Sequence, residues 1–458
     1  MTKLVAQENT GEHDAVLASG FIEAALIDPR VGEQPGFPRW WGGPLDVESL
    51  AMGSVDMVVR VLKQLDADRR FGSVGPAQIG AVFDDLKKLR IDGRRAATFA
   101  PLSGFFATRD GWLRTHANYR HHERALLSAL EISRSEHLTD ALRQLDAEEA
   151  QERIVAAGGV AAAVRTRRQW ECSAPALQGL RGHWAHFSLQ DLEGNPRWLY
   201  DPAADAPLAG LRVLDLTRVI AGPTATRTLA LFGAHVMRLD PPQYPEILDQ
   251  YLATGFGKYS VQLDLAQRHE LSVFHDLLAQ ADVLIAGYRG QSLDAFGLSD
   301  TDLRERHPNL IVAKLSAWGS MGPWATRRGF DSIVQAATGI SEIYRGAAAT
   351  PGALPVQALD HATGYGIAAA VIALLHAQRH LGSTGRVEFS LARTAQALYR
   401  FGAPQGAARG QLADPLMGRR ESANGVLDYV MPPFLDRESP ADYPFAPRAY
   451  AADAPNWG

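Results

Sequence analysis

The 458-residue sequence contains a single cysteine, Cys172, and this scarcity excludes several classes of protein. One cysteine cannot form an intrachain disulfide, and one chain then supplies neither a cysteine zinc site nor an iron–sulfur cluster. The fourteen histidines do not form pairs spaced for a metal ion on one helix face, so we predict no metal site. Sparse cysteine also favours a cytoplasmic location.

Signals for secretion and for membrane insertion are missing as well. The opening residues, MTKLVAQENTGEHDAVLASGFIEAAL, lack the basic segment and apolar run of a signal peptide. No stretch approaches the roughly 20 apolar residues that a membrane helix requires. The formal net charge of -5 disfavours non-specific binding to nucleic acid or to anionic membranes. We therefore expect a soluble protein that binds neither nucleic acid nor membrane.

The common catalytic signatures are also absent. The sequence has no G-x-S-x-G elbow, no P-loop and no H-E-x-x-H motif. The first strand-to-helix turn, Ala221-Gly222-Pro223, lacks G-x-G-x-x-G, so a dinucleotide cofactor is not predicted. What is present is an ordinary globular composition, 46% hydrophobic and 21% charged. Because single cores stop growing at about 250 to 300 residues, this length predicts at least two cores.

Hydrophobic patterning divides the chain into parts with different textures. Short apolar runs at 212–217, 235–240, 282–286 and 310–317 alternate with helix-length segments, and a helix over 361–380 leads to a strand at 386–392. This alternation predicts an α/β fold with a doubly wound parallel sheet. We predict an N-terminal helix and loop (1–44), a small α+β domain and linker (45–206), a large Rossmann-like domain (207–400) and an extended tail (401–458).

Residues 45–88 have the same layout as residues 356–399. In both, a Gly-containing apolar helix is followed by a strand, and Ser49 stands in the earlier segment where Asp360 stands in the later one. One interpretation is a degenerate internal copy. The other is that two such helix–strand segments resemble each other by chance, and the sequence leaves both open.

Several stretches after residue 206 follow one another in a distinctive order. They are PLAGLRVLDLTRVIAGP (207–223), LFGAHVMRLDPP (231–242), GFGKYSVQLDL (255–265), ADVLIAGYRGQSLDAFGL (281–298), LIVAKLSAWGSMGPW (310–324), RRGFDSIVQAATG (327–339), ALDHATGYGIAAAVIALL (358–375) and TGRVEFSL (384–391). Their order and spacing resemble the large domain of the class III CoA-transferase (CaiB/BaiF) family. Residues 45–206 resemble the part that follows that domain in the family. The chain is thus similar to a circular permutation, or to a piece of a tandem fusion.

The resemblance implies an enzyme that moves coenzyme A from an acyl-CoA to a carboxylic acid. Asp360 matches the family's nucleophilic aspartate, which attacks the thioester and forms a mixed anhydride and then an aspartyl-CoA thioester. Asp360 precedes an apolar helix, whose free N–H groups and positive dipole end favour an ionised carboxylate. Coenzyme A is then a substrate, with no permanently bound cofactor. Family members form interlocked dimers, so the resemblance also implies a homodimer.

The resemblance assigns the CoA-contacting positions too. They are Val219, Ile220, Ala221, Leu263 to Leu265, Gly287, Tyr288, Arg289 and Arg328. The family often carries Asn at the position of Gly287 and a basic residue at that of Pro241 or Ala295. We therefore expect Arg238 or Arg289 to contact the phosphates instead, because arginine binds phosphate through paired donors.

Two alternatives to a CoA-transferase remain. The first is an α-methylacyl-CoA racemase or epimerase, which shares the fold and pairs the equivalent aspartate with a histidine for proton transfer. Phe330 stands where racemases carry that histidine, which disfavours this activity. The second is a non-catalytic CoA-binding subunit, suggested by the altered phosphate contacts and opposed by the presence of Asp360.

Overall fold

The protein is described by a computed structural model that covers residues 12–27, 39–290, 292–347, 349–404 and 412–457. The helices are α1 (Glu12–Glu23), α2 (Val47–Leu65), α3 (Pro76–Val82), α4 (Asp85–Lys88), α5 (Arg120–Ala129), α6 (Leu138–Arg143), α7 (Ala147–Ala156), α8 (Arg167–Glu171), α9 (Ala174–Gly179), α10 (Ala221–Leu231), α11 (Leu248–Thr254), α12 (Arg268–Leu278), α13 (Asp300–Arg306), α14 (Asp331–Thr338), α15 (Ile340–Ile343), α16 (Ala358–His380) and α17 (Leu391–Arg400). Single 3₁₀ turns lie at Ser135–His137 and Asp294–Phe296.

The strands form one large sheet and three small ones. They are β1 (Phe71–Ser73), β2 (Arg90–Ile91), β3 (Arg94–Arg95), β4 (Phe105–Ala107), β5 (Trp112–Thr115), β6 (Ala161–Ala163), β7 (His186–Asp191), β8 (Arg212–Leu216), β9 (His235–Asp240), β10 (Lys258–Gln262), β11 (Val283–Ala286), β12 (Ile311–Ser316), β13 (Ser383–Ser390), β14 (Met417–Ser422), β15 (Gly425–Val430), β16 (Phe434–Asp436) and β17 (Ser439–Pro440). The large sheet has seven strands in the order β10-β9-β8-β11-β12-β13-β7.

The large sheet confirms the predicted α/β fold class. Its strands pair in parallel from β10 through β13, and only β7 at the edge runs antiparallel, with Phe187 opposite Val387. The central strands are apolar and buried on both sides, as expected where helices cover both faces. β8 leads to β9 on one side and β11 lies on its other side, so the strand order reverses between β8 and β11.

Helices α10 and α16 lie against one face of this sheet, and α2 packs against α16. α16 packs against both of the others, and its residues Ala358 to Leu375 are buried throughout. Glycines allow this close approach: a Cβ on Gly364 would overlap the carbonyl of Ala221, and a Cβ on Gly222 would overlap the side chain of Thr217. The start of α16 is therefore held beside the turn that follows β8.

α16 has the length and apolar composition of a membrane-crossing helix, but its apolar window is fully buried inside the protein. It is the central core helix among these three. Charged residues are confined to its two ends, with Asp360 in the first turn and Arg379 and His380 in the last. Among the residues that the structure describes, no other helix passes the same length and hydropathy test.

The small sheet β4-β5-β6 has its own core. Leu113, Leu126, Leu142 and Ile154 pack together beneath helices α5 to α7. The predicted hairpin at 100–117 is present as β4 and β5, whereas the predicted pair of polar helices at 122–158 is instead three helices with a 3₁₀ turn. This unit rests on α14, next to the start of α16.

The division of the chain at residues 44, 206 and 400 stays a prediction, but strand pairing crosses it. β7 lies in the segment assigned to the linker and completes the edge of the large sheet. β16 pairs with β1, and β15 pairs with β2, so residues 412–457 do not simply extend away as the predicted tail. Trp457 is buried against the sheet, where its indole N–H donates to Leu277. Residues 1–11, 28–38 and 405–411 of the predicted parts lie outside the described residues.

Candidate active site

The turn after β8 lies at the point where the strand order reverses. In open α/β sheets, ligands bind outside the carboxyl ends of the strands at such a point. Val219 in this turn has a φ of 68°, which is strained for a β-branched residue. Its N–H donates to Glu246 Oε2 at 3.0 Å, and its carbonyl accepts from Gln250 Nε2 at 3.0 Å. Both hydrogen bonds hold the turn in this conformation.

A cavity of about 390 Å³ opens at these strand ends. Turns after three strands supply its wall, including Val219, Tyr288 and Ala317. Among its described lining residues, Asp360 is acidic and four are arginines, namely Arg218, Arg289, Arg327 and Arg328. A cluster of cations with one carboxyl creates a site for an anionic ligand, even in a protein whose net charge is negative.

The four arginines differ in how many donors they have left. Arg327 makes a bidentate pair with Glu152 at 2.8 Å, so its guanidinium is committed. Arg328 donates to the carbonyl of Gly158 at 2.8 Å, and Arg289 donates to that of Thr326 at 3.0 Å. Burial, and next the charge of Arg328, lower the pKa of Arg289. Arg289 and Arg328 are thus neighbouring cations with donors to spare.

A second cavity, of about 320 Å³, lies on the other side of the Val219 turn. Val219, Phe330 and Asp360 line both cavities, whereas Ile220 faces this one. Its remaining walls come from the segment after α3, from β5 and the residues that follow it, and from residues 353–357. The Asp360 carboxyl therefore lies at the junction of an arginine-rich cavity and a second, separate cavity.

Asp360 is the third residue of α16 and is only 6% exposed. Its backbone N–H donates to Asp331 Oδ2 at 3.0 Å, and Leu359 also donates its N–H to the Asp331 carboxylate. The Gln335 side-chain amide donates to Asp331 Oδ1, and Gln335 Oε1 accepts from Leu354 N–H at 2.8 Å. Asp331, which is 1% exposed, therefore caps the N-terminus of α16.

This arrangement opposes the expected ionisation of Asp360. Burial, and then the Asp331 carboxylate, raise the pKa of Asp360 well above its ordinary value. Burial raises the pKa of Asp331 as well, to about 6, although its hydrogen bonds oppose the shift. The prediction that the helix N-terminus ionises Asp360 is wrong because Asp331 occupies that N-terminus. The pair favours one shared negative charge, held on Asp331.

The structure brings most of the predicted CoA-contacting residues together. Val219, Ala221, Gly287, Tyr288, Arg289 and Arg328 line the 390 Å³ cavity. Leu263 does not: it is buried among the apolar side chains on the opposite face of the sheet, and neither described cavity wall includes it. Its predicted contact with CoA is not supported by this position.

Arg238 is also placed differently from the prediction. It is fully buried, its Nε donates to Asp240 at 2.7 Å, and its Nη2 lies 3.0 Å from Glu246. Neither described cavity wall includes it. A guanidinium committed to two buried carboxylates is a structural ion pair, so the expected phosphate contact through Arg238 is wrong.

Sequence reasoning missed several residues of the site, among them Arg114, His116, Arg218 and Asp331. Arg218 immediately precedes Val219, and Asp331 follows Phe330, so both adjoin residues that the motifs had marked. Arg114 and His116 come from the hairpin of the small unit, and no local signal connects them with α16. His116 stacks on Phe330 with ring centroids 3.8 Å apart, and burial lowers the pKa of His116 to about 3.

A family model matches the part of the chain that carries most of this site. Residues 208–430 match the family model described as CoA-transferase family III. Over these residues, the chain is similar to CoA-transferase family III. The match contains the Val219 turn, the arginine cluster, Asp331 and Asp360. Within the described residues, no group of three or more His, Cys, Asp or Glu side chains could hold a metal ion.

Curated relatives match less than half of the chain. The probable fatty acyl-CoA transferase Rv3272 of Mycobacterium tuberculosis is 35% identical over 188 residues, which cover 38% of this chain and 48% of that protein. The succinate–glutarate CoA-transferase of Agrobacterium fabrum is 33% identical over 197 residues, covering 39% of this chain and 49% of that protein. The chain thus spans about half the length of these curated relatives. A crystal structure of Rv3272 is 34% identical, with a TM-score of 0.40 and coverage of 42% of this chain and 55% of that one.

Proposed function

We propose that this protein is a CoA-transferase that moves coenzyme A from an acyl-CoA to a carboxylic acid through a covalent intermediate on Asp360. One observation carries the proposal: the Asp360 carboxyl lies where the arginine-rich cavity meets the second cavity. The arginines suit the phosphates of CoA, and the second cavity has room for an acyl group or an acceptor acid. A carboxyl at this junction is placed to reach the thioester carbon.

The reaction proceeds in four exchanges at carbonyl carbon. The Asp360 carboxylate attacks the donor thioester, the C–S bond breaks, and a mixed anhydride and CoA thiolate form. The thiolate then attacks the Asp360 carbonyl carbon and releases the donor acid as its carboxylate. The acceptor carboxylate displaces the thiolate from the aspartyl thioester, giving a second anhydride. Finally the thiolate attacks the acceptor acyl carbon, which frees the Asp360 carboxylate and requires no net proton.

The first step needs ionised Asp360, whereas its buried pairing with Asp331 favours the protonated form. The proton must therefore leave the pair before attack, and the rate should rise with pH as Asp360 ionises. Arg289 and Arg328 would bind phosphate oxygens, and Gly287 with Ala221 would let the backbone approach the CoA chain. Arg218 adds positive charge to the same wall.

A racemase is the second candidate because the structure supplies an imidazole that the sequence did not predict. His116 stacks on Phe330 and lines the same cavity as Asp360. A proton-transfer pair needs groups whose pKa values lie near the working pH. A histidine whose pKa is about 3 is a weak base, so this geometry favours the transferase.

The acyl and acceptor substrates are not set by the family. The relatives are named for different ones: fatty acyl groups in Rv3272, and succinate with glutarate in the Agrobacterium fabrum enzyme. We keep the homodimer and the cytoplasmic location as predictions. Residues on both sides of position 207 of one chain line both described cavities, so we propose that their walls form within a single chain.

Trapping the covalent intermediate tests the proposal. The protein is incubated with succinyl-CoA or a fatty acyl-CoA plus hydroxylamine, and mass spectrometry locates the resulting hydroxamate, expected on Asp360. Asp360→Asn should abolish CoA transfer while retaining CoA binding. The matched control is Asp282→Asn, another buried aspartate that accepts a backbone N–H and lines neither described cavity. Bound CoA without any hydroxamate or transfer would refute the transferase, and deuterium exchange at the α-carbon would favour the racemase.

A further inference from the structure

Arg114 is a buried cation that has no carboxylate partner. It is 8% exposed and lines the 320 Å³ cavity. Within the part of the chain that the structure describes, its guanidinium forms neither a hydrogen bond nor an ion pair, and its Nε is buried without a partner. An unpaired buried charge is costly. By contrast, Arg165, which is similarly buried, is paired with Glu148 and Gln151.

The position of Arg114 follows from strand alternation in β5. Leu113 points into the small core and is fully buried there, so Arg114 points to the opposite face, toward the cavity. Phe105 lies directly across the strand pair, and the Arg114 guanidinium stands 4.9 Å from its ring and 5.2 Å from that of Phe99. Stacking on rings uses the faces of the guanidinium and leaves its in-plane N–H donors free.

Other polar atoms lining this cavity lack partners too. Buried atoms without a hydrogen bond among the described residues include His116 Nδ1, Ser332 Oγ and His361 Nδ1. Native proteins leave few such groups, and a concentration in one cavity indicates a polar ligand. Burial lowers the pKa of Arg114 only to about 10, so it remains a cation at neutral pH and favours an anion.

Arg114 does not stand at the reacting carboxyl. Both residues line the 320 Å³ cavity, but no ion pair or hydrogen bond joins Arg114 to Asp360 among the described residues, and the carboxylate whose charge acts on Arg114 is that of Asp331. A reacting atom must come within about 3 to 3.5 Å of the Asp360 carboxylate. A carboxylate that pairs with Arg114 would therefore be a different group from the one that reacts at Asp360.

We propose that Arg114 binds the second carboxylate of a dicarboxylic substrate, held as the free acid or as its mono-CoA thioester, while the first carboxyl group reacts at Asp360. Bidentate donation from the guanidinium fork matches carboxylate geometry. The neighbouring unpaired histidine and serine groups supply further hydrogen bonds. This substrate class rests on the proposed transferase function, but the binding site itself does not.

The test compares two acids of equal chain length. Transfer from acetyl-CoA to succinate and to butyrate gives a ratio of kcat/KM values, which should favour succinate in the wild type. Arg114→Met should lower that ratio about 10- to 100-fold, and Arg114→Lys, which keeps the charge but loses the fork, should lower it less. Arg109→Met is the matched control: it lies in the same hairpin, pairs with Asp146 on the surface and lines neither described cavity, so the ratio should not change.

Calorimetric binding of succinate and butyrate to the full chain separates the two proposals. If Arg114→Met leaves the ratio of kcat/KM values unchanged, the proposed binding of a second carboxylate by Arg114 is refuted, and the transferase function stands. The wild type could instead transfer CoA to neither acid. In that case, carboxylate binding by Arg114 is still supported if the wild type binds succinate more tightly than butyrate and Arg114→Met loses this difference. If the wild type and a correctly folded Arg114→Lys protein each bind succinate and butyrate with equal affinity, carboxylate binding by Arg114 is overturned.

Discussion

Replacing Asp331 with asparagine should shift the acid limb of the pH–rate profile to lower pH. Asp360 N–H lies 3.0 Å from Asp331 Oδ2, and the Asp360 amide nitrogen is three bonds from its own carboxyl carbon. With the two carboxylates about 6 Å apart and an effective dielectric of about 20, their repulsion is about 2.8 kcal/mol. Removing this charge should therefore lower the pKa of Asp360, and the acid limb should move to lower pH with it.

The assay is the initial rate of acyl-CoA formation at low substrate from about pH 5 to about pH 9, because kcat/KM reports ionisation of the free enzyme. The wild-type rate should rise with pH as Asp360 loses its proton, and Asp331→Asn should reach its plateau at lower pH. Asp282→Asn, whose buried carboxyl also has a raised pKa but lines neither described cavity, should leave the profile unchanged. An acid limb that stays in place, or moves to higher pH, in Asp331→Asn would refute the proposed repulsion.

The buried pair of Asp331 and Asp360 should also make the stability of the protein depend on pH. Asp331 has a pKa raised to about 6, so the folded protein binds this proton more tightly than the unfolded chain, whose aspartates titrate near 4. The free energy of unfolding should therefore decrease as pH rises through that window. Urea unfolding at each end of the window should show a smaller decrease for Asp331→Asn than for wild type.

Two further substitutions test the structural assignments. Arg238→Met should lower the free energy of unfolding by about 3 to 5 kcal/mol, since buried Asp240 and Glu246 then keep only their longer ion pairs with Arg218, at 4.0 and 3.8 Å. Arg419→Met, in an exposed pair, should change it by less than about 0.5 kcal/mol. Gly364→Ala should cost about 1 to 3 kcal/mol and lower transfer, because its Cβ would overlap the Ala221 carbonyl. Gly346→Ala, where a Cβ meets no other atom, is its control, and equal urea midpoints for the two would contradict the packing argument.

The large sheet could be predicted because its central strands are buried on both faces and appear as continuous apolar runs. β8, β9, β11, β12 and β13 lie where those runs predicted them. β7 was missed because this edge strand has a largely exposed and polar sequence, HFSLQD. β10 was missed because its sequence, KYSVQ, begins with Lys258 and contains no continuous apolar run. That lysine is buried in the fold, where it donates to Asp215 at 3.2 Å and to Thr226 at 2.7 Å.

Asp360 could be located from its motif, but its ionisation could not be judged from its own helix. The free N–H groups at the start of a helix stabilise whichever carboxylate reaches them. Along the sequence, the nearest carboxylate to the start of α16 is that of Asp360. In the fold, Asp331 comes from α14 and occupies that helix N-terminus instead. Arg238 shows the same limit: a basic residue beside a predicted phosphate site was instead needed to neutralise buried Asp240 and Glu246.

Ser49 repeats part of this geometry in the earlier half of the chain. It is the third residue of α2, as Asp360 is of α16, and its N–H donates to the Asp46 carboxylate at 3.0 Å. Ser49 lines neither described cavity, so the parallel is one of architecture. These contacts favour the interpretation of residues 45–88 as a degenerate copy, which stays a prediction.

The order of segments along the chain matters less to this site than which surfaces pack together. Arg114 and His116 reach the cavity because β5 stands on α14, and Phe330 and Asp331 mark the start of that same helix. These side chains meet across the interface between the small unit and the α14 region. The cavity walls are therefore the same whether the small unit precedes the large sheet in the sequence or follows it. A substrate held between Arg114 and Asp360 would therefore span an interface between early and late parts of one chain, and its binding should stabilise that interface.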